Sequence, residues 1–346
     1  MTITDTSAVR APAGDVSVTP AAPGDLQAPQ PGGGRRERRL AAERVGNGAA
    51  PTSTTEAADD GRAVRPPISP GRGIATWVLA TICLLSLWFV IYAVLLTPFQ
   101  ENHQQVTLYS ALRQSLAQQT APLGGQIAPG TPVALLTART IGVVDNVVVE
   151  GTTSGDLMSG PGHKRDTVLP GQAGVSVIYG RAGLFGAPFG ALTTANAGDE
   201  ITAITGQGTF TYVVTGVRHA GDPFPPALAQ GGSRLTLVSA DSHGRFGALH
   251  PEGTLYVDAI LKGQSQPYPP GKPVAVPKSE QAMQGDPNAF LPLALALPLL
   301  IGAVIFAVWA RNRWGGWQTW LVGVPLVLAA LWSVSQAAVQ LLPNLL

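Results

Sequence analysis

Three long stretches of the chain contain no charged residue. They cover 74–96 (23 residues), 289–310 (22 residues) and 317–342 (26 residues). A helix of about 20 apolar residues spans the hydrocarbon core of a bilayer, so each stretch predicts a transmembrane helix. All seven Trp lie in or beside these stretches, and Trp309, Trp314, Trp317 and Trp320 bracket the loop 311–316. Such clustering fits an interfacial aromatic belt. The first stretch starts after more than 70 residues, whereas a cleaved signal occupies about the first 15–30, so it predicts a retained anchor.

Between the first and second stretches the pattern changes. In 97–132, apolar residues at Val106, Leu108, Leu112 and Leu116 predict a short helical stalk over about 100–120, followed by a Pro- and Gly-rich linker. From 133 to 262 the runs VALLTA, VVDNVVVE, GVSVIYG, DEITAI, FTYVVTGV, RLTLVSA and TLYVDAIL alternate with turn residues. Runs of β-formers punctuated in this way read as strands. Their irregular spacing, with a single short helix candidate at 184–195, predicts a closed or nearly closed β-barrel rather than a βαβ fold. Residues 263–288 are rich in Pro, Gly and Gln and predict an extended tether back to the membrane. Residues 1–73 are rich in Ala, Pro, Gly, Thr and Arg. They lack the apolar surface that would offset chain entropy, which predicts disorder. The expected fold class is mainly β: a closed barrel with a short helix, plus three transmembrane helices and a disordered N-terminus.

Charge narrows the function. The chain holds 22 Lys+Arg and 21 Asp+Glu, a net charge of +1, which argues against a nucleic-acid partner, since that needs a basic surface. The one cysteine, Cys83, lies inside the first apolar stretch, so an internal disulfide, a CxxC redox site and an all-cysteine zinc site are excluded. His103, His219 and His250 show no metal-ligand spacing, and Asp199, Glu200 and Asp222 belong to no EF-hand-like run. Neither metal nor cofactor is expected. Arg62, Arg65 and Arg72 precede the first span, and Arg311 and Arg313 fill the loop between the second and third. The positive-inside bias puts both groups in the cytoplasm. The N-terminus is then cytoplasmic, and 97–288 and the residues after 342 are extracytoplasmic. The cluster Arg35, Arg36, Arg38 and Arg39 reads either as a site for anionic lipid or as a topology signal in a solvated tail.

Several blocks in 131–262 carry a family likeness. Val148-Val149-Glu150-Gly151-Thr152 is followed by Gly160-Pro161-Gly162-His163 and by Leu169-Pro170-Gly171-Gln172-Ala173-Gly174. Val177-Ile178-Tyr179-Gly180-Arg181 precedes Gly186-Ala187-Pro188-Phe189 and Leu192. Gly198-Asp199-Glu200-Ile201, Tyr212-Val213-Val214 and Leu235-Thr236-Leu237-Val238-Ser239-Ala240 come next. In order and spacing this region resembles the sortases, membrane-anchored cysteine transpeptidases of Gram-positive bacteria. It looks most like the housekeeping, class E-like type of actinobacteria. The resemblance implies a groove for an extended sorting-signal peptide beside a Cys nucleophile, a His acid/base and an Arg. Carried over position by position, the His falls on Arg181, the Cys on Ala240 and the Arg on Thr254. Alanine offers no nucleophile, and a guanidinium is not a base near neutral pH. The three positions therefore predict a domain without thiol transpeptidation. Two spans after the domain also depart from the single anchor usual in the family.

Other polar residues lie near these positions. Ser239, Asp241 and His243 cluster at the old nucleophile strand, but strand alternation points Ser239 away from the face of Ala240. His163 is expected on a solvated turn beside Lys164, Arg165 and Asp166. In the third span Ser333, Gln336 and Gln340 share a helix face and predict packing on a neighbouring helix. Arg181 is expected either to pair with Asp241 or to stand open for an anionic ligand, with the open arrangement favoured. The expected groove comprises Arg181, Thr236, Val238, Ser239, Ala240, Asp241 and His243. The reading from sequence is a catalytically inactive, sortase-like protein of the Gram-positive cytoplasmic membrane. Its expected partners are a sorting-signal peptide, a surface or pilin-like protein, or an active sortase. The alternatives are a structural subunit of a membrane assembly and a hydrolase with altered chemistry around Ser239 and His243.

Overall fold

The computed structural model describes residues 70–241, 251 and 253–346. The tail through residue 69, with its arginine cluster, lies outside the described residues, as does His243.

Helix α1 (Pro70–Ile91) runs through a π-helical turn, Tyr92–Leu96, into α2 (Thr97–Ala117). Anchor and stalk are thus one continuous helix, not two elements. At the junction the Thr97 hydroxyl donates to the Ala93 carbonyl (2.6 Å) and accepts from the Phe185 amide (3.1 Å). Further along α2, the Gln105 amide exchanges hydrogen bonds with the main chain of Val147 and with the Ser159 carbonyl. The stalk is therefore docked on the strand domain.

Helices α3 (Phe290–Trp314) and α4 (Gly316–Gln340) form a hairpin around Gly315. Among the described residues, three helices are long and apolar enough to cross a membrane. Trp77, Leu84, Leu295, Ile301 and Trp317 are more than half exposed on them, as side chains facing lipid would be. Small residues are buried along the hairpin, including Ala303, Ala310, Gly323 and Ala330, and these let two helix backbones approach closely. In α4 the contact with another helix falls on Ser335, which accepts from Trp88 Nε1 of α1 at 3.0 Å. The expected face begins instead at Ser333, which is exposed and bonds back to Ala329 of its own helix. Tyr92 meets Trp332 edge to face, with ring centroids 5.1 Å apart.

The strand region closes into an eight-stranded barrel. The strands are β1 (Pro132–Ala138), β2 (Val143–Glu150), β3 (Gly162–His163), β4 (Gly174–Tyr179), β5 (Glu200–Thr205), β6 (Gly208–His219), β7 (Ser233–Asp241) and β8 (Gly253–Leu261). They are ordered β1-β2-β3-β4-β7-β8-β6-β5 around the barrel. Pairs β2–β3 and β4–β7 are parallel and the other six are antiparallel. Seven strands match the expected runs. β3 is too short to carry a hydrophobic pattern, and it bridges β2 and β4 with two residues. Alternate side chains fill the interior, among them Val133, Leu136, Val148, Ile178, Ile201, Tyr212, Leu235, Leu237 and Val257.

The Pro-rich stretch after β8 is a strap laid over the barrel, not a free tether. Gln266 accepts from the Ala173 amide and donates its own to the Gly171 carbonyl. Glu280 is buried against Arg165, and its carbonyl accepts from the Thr152 hydroxyl. Gly171 has φ +93°, and a Cβ there would run into the Phe210 ring. Its amide donates to the Tyr212 hydroxyl at 2.5 Å.

Two outcomes follow. Gly171→Ala should destabilise the full chain by about 2–3 kcal/mol through strain and clash, read as a lowered Tm in detergent; an unchanged Tm would contradict the packing. In a Cys83→Ala background, Val274→Cys, a position fully exposed on the strap, should react with an impermeant thiol reagent in whole cells. Gly316→Cys, where a side chain meets open space, should react only after permeabilisation. The reverse labelling would overturn the orientation drawn from the arginines.

Candidate functional site

Three adjacent strands build the site. β4 runs parallel to β7 in the register Tyr179↔Val238, and β7 runs antiparallel to β8 in the register Ala240↔Thr254. Past the end of β4, the Gly180 amide donates to the Val238 carbonyl (3.0 Å) and the Gly180 carbonyl accepts from Ser239 Oγ (2.9 Å). This continuation carries Arg181 to the level of Ala240. The three carried-over positions, Arg181, Ala240 and Thr254, thus meet at one end of a single three-stranded surface. Phe189 lies so close over Gly180 that a Cβ there would strike its ring.

Side chains of β7 divide as strand alternation requires. Leu235 and Leu237 enter the barrel core, and Ser239 shares their side. Thr236, Val238 and Ala240 lie on the other side. Ser239 is fully buried with its hydroxyl committed to Gly180, so it is not an exposed nucleophile. Asp241 Oδ2 lies 3.5 Å from His219 Nε2 at the strand end. Thr254 Oγ1 donates to the Tyr256 hydroxyl at 2.9 Å.

The outer surface of β4, β7 and β8 holds an open groove of about 310 Å³. Its walls include Val175, Tyr179, Thr236, Val238, Tyr256 and Phe224. Asp258 anchors one side. It accepts from Thr236 Oγ1 and from Arg218 Nε, both at 2.6 Å. The Arg218 guanidinium also stacks 4.3 Å from the Tyr256 ring centroid. Of the cations lining the groove, Lys164 pairs with Asp166 and Arg218 with Asp258, while Arg234 donates to the Pro226 carbonyl.

Arg181 takes neither of the arrangements expected of it. It is fully buried. Nε donates to the Leu157 carbonyl (3.2 Å), Nη1 to the main-chain oxygen of Leu346 (3.0 Å), and Nη2 to the carbonyl and hydroxyl of Ser154 (2.8 and 2.9 Å). The guanidinium also sits 5.0 Å from the Phe185 ring centroid. Burial pulls its pKa down to about 9, so it remains a cation at neutral pH. The charge is met by main-chain oxygens, the Ser154 hydroxyl and a π face.

Ser154, Leu157 and residues 344–346 are site residues that the sequence does not single out. Their part is played by main-chain oxygens, which leave no mark in residue type. His163 also differs from expectation. It is buried, 2.8 Å from Glu150 through Nδ1 and 2.9 Å from the Val168 carbonyl through Nε2, and it ties β3 to β2 from inside rather than sitting on a solvated turn.

Comparison with known proteins places this architecture. Residues 136–242 match the family model of the Sortase domain. No curated protein matches the chain. Among solved structures, a sortase D5 transpeptidase from Clostridium perfringens is similar at 23% identity, covering 46% of this chain and 99% of that one, with a TM-score of 0.38. Sortase E from Streptomyces avermitilis is 28% identical over 45% of this chain and 100% of its own, with a TM-score of 0.33. SrtF sortase from Corynebacterium diphtheriae is 22% identical over 46% and 98%, with a TM-score of 0.34. Residues 136–242, from β1 through β7 of the barrel, thus form a region that matches the Sortase domain, and the closed eight-stranded barrel around them has the sortase fold.

Proposed function

We propose that this chain is a membrane-anchored, catalytically silent sortase-domain protein of the Gram-positive cell surface, and that it binds an extended peptide of the sorting-signal kind along β4, β7 and β8. The observation that carries this reading is the open groove whose walls Tyr179, Val238 and Tyr256 stand two residues along the chain from Arg181, Ala240 and Thr254. A binding surface is retained while the reactive groups are gone. Acyl transfer by a thiol needs a thiolate and a proton acceptor, and these positions supply neither. Ser239 does not replace them, because its hydroxyl is buried and bonded to Gly180.

The groove suits a peptide main chain. Val175, Val238, Tyr256 and Phe224 offer apolar contact, and Arg218, Arg234 and Lys164 offer donors to carbonyls or acidic side chains. Surface proteins, pilin-like proteins and active sortases are the larger partners such a groove could engage through one extended segment.

Full-length protein in detergent should show no turnover of sorting-signal peptides, and Ala240→Cys alone should leave it inactive, because Arg181 cannot act as a general base. Robust transfer by Ala240→Cys would overturn the role given to position 181. A photocrosslinker in place of Val175 in the groove wall should capture a sorting-signal peptide, and Asp258→Lys should weaken that capture. Absence of capture at 175, with the protein folded, would contradict peptide binding.

A further inference from the structure

Beside the groove, against Tyr179 and Val238, lies a seat filled by the chain itself. α4 ends at Gln340, and Pro343–Leu346 turn back onto the barrel, closed by a hydrogen bond from the Leu346 amide to the Pro343 carbonyl. Asn344 and Leu345 are fully buried. Leu345 packs in one cluster with Leu157, Tyr179, Ala182, Val238 and Ala240. Its carbonyl accepts from the Ala182 amide at 2.9 Å, and the next carbonyl, that of Leu346, accepts from Arg181 Nη1 at 3.0 Å. Asn344 Nδ2 donates to the carbonyls of Thr152 and Gln281, and its amide donates to the carbonyl of Gln284.

From this we infer that residues 344–346 are a displaceable plug, and that their seat is a subsite for a leucine-sized side chain followed by two peptide carbonyls. This deepens the reading of the groove as a peptide site and rests on it. The seat is continuous with the open groove, because Tyr179 and Val238 belong to both. It has the parts of a peptide subsite: an apolar floor beside Ala240, and two convergent donors, Ala182 N–H and Arg181 Nη1.

Two features make the seated state easy to leave. Asn344 Oδ1 is buried without a hydrogen-bond partner among the described residues, and a buried acceptor left unpaired weakens the contact that buries it. Met283, in the strap segment packed against the plug, holds φ +60°, a left-handed conformation unfavourable for a residue with a Cβ. The plug is also tied to the membrane helices, since only residues 341–343 separate it from α4.

The test uses the full chain in detergent with Cys83→Ala and Ala240→Cys, reading the rate of maleimide labelling at position 240. With Leu345 present, labelling should be slow, because Ala240 is almost fully buried. Leu345→Ser should raise the rate at least tenfold with the barrel still folded. The hexapeptide acetyl-Leu-Leu-Pro-Asn-Leu-Leu-amide, added to that variant, should restore protection. As a second measurement that keeps the segment seated, Ala240→Cys with Leu345→Cys should form an intramolecular disulfide under mild oxidation. Fast labelling with Leu345 present, or no disulfide in the paired variant, would overturn the plug. An open variant that the hexapeptide fails to protect would overturn the subsite. If labelling behaves as expected while a crosslinker at Val175 captures no sorting-signal peptide from the open variant, the plug stands and the wider reading of the groove falls.

Discussion

A guanidinium sealed inside the protein has to be met by acceptors, and the rest of the site is arranged around that requirement. Moving a cation out of water costs several kcal/mol even after relaxation. Arg181 recovers this through carbonyls from two separate stretches of chain, Ser154 and Leu157 on one side and Leu346 on the other. The Phe185 ring adds a third contact. Phe185 in turn packs with Tyr92 at the α1–α2 junction, Met158 and Val339 of α4. One side chain therefore registers the barrel, the segment after α4 and, through Phe185, the membrane helices against each other. A histidine, with two ring nitrogens, could not reach this set of acceptors.

The same constraint fits the proposed loss of thiol chemistry. The Arg181 guanidinium supplies no proton acceptor near neutral pH. Alanine at 240 leaves room for Leu345 to pack against the strand. Thr254, opposite Ala240 in the ladder, turns its hydroxyl to Tyr256. Each replacement is compatible with a filled pocket at this end and an open groove further along.

Much of this was legible in the sequence. The uncharged runs correspond to α1, α3 and α4, and seven strands follow the runs of β-formers. The block order around Gly180, Arg181 and Ala240 belongs to strands that do lie side by side in the barrel. What escaped was carried by the main chain or by position in three dimensions. β3 has two residues and no period. The strap looks like a linker by composition, yet Glu280 and Gln266 dock it by specific contacts with Arg165 and Gly171. Ser335 rather than Ser333 meets another helix, because partner geometry decides which of two nearby hydroxyls is used. The environment of Arg181 escapes the sequence for a related reason: residue type announces a charge, but carbonyl acceptors are present in every residue and announce nothing.

The central claim is that Arg181 organises the site by satisfying main-chain oxygens from separate segments. The most direct test is Arg181→Met in the full chain, which keeps an unbranched apolar stem and removes every donor. Thermal unfolding and hydrogen exchange at the Ala182 amide would be read together. The account predicts a loss of about 2–4 kcal/mol, since several buried carbonyls lose a charged donor, and faster exchange at Ala182 as the contact with Leu345 loosens. Unchanged stability with Ala182 still protected would contradict it.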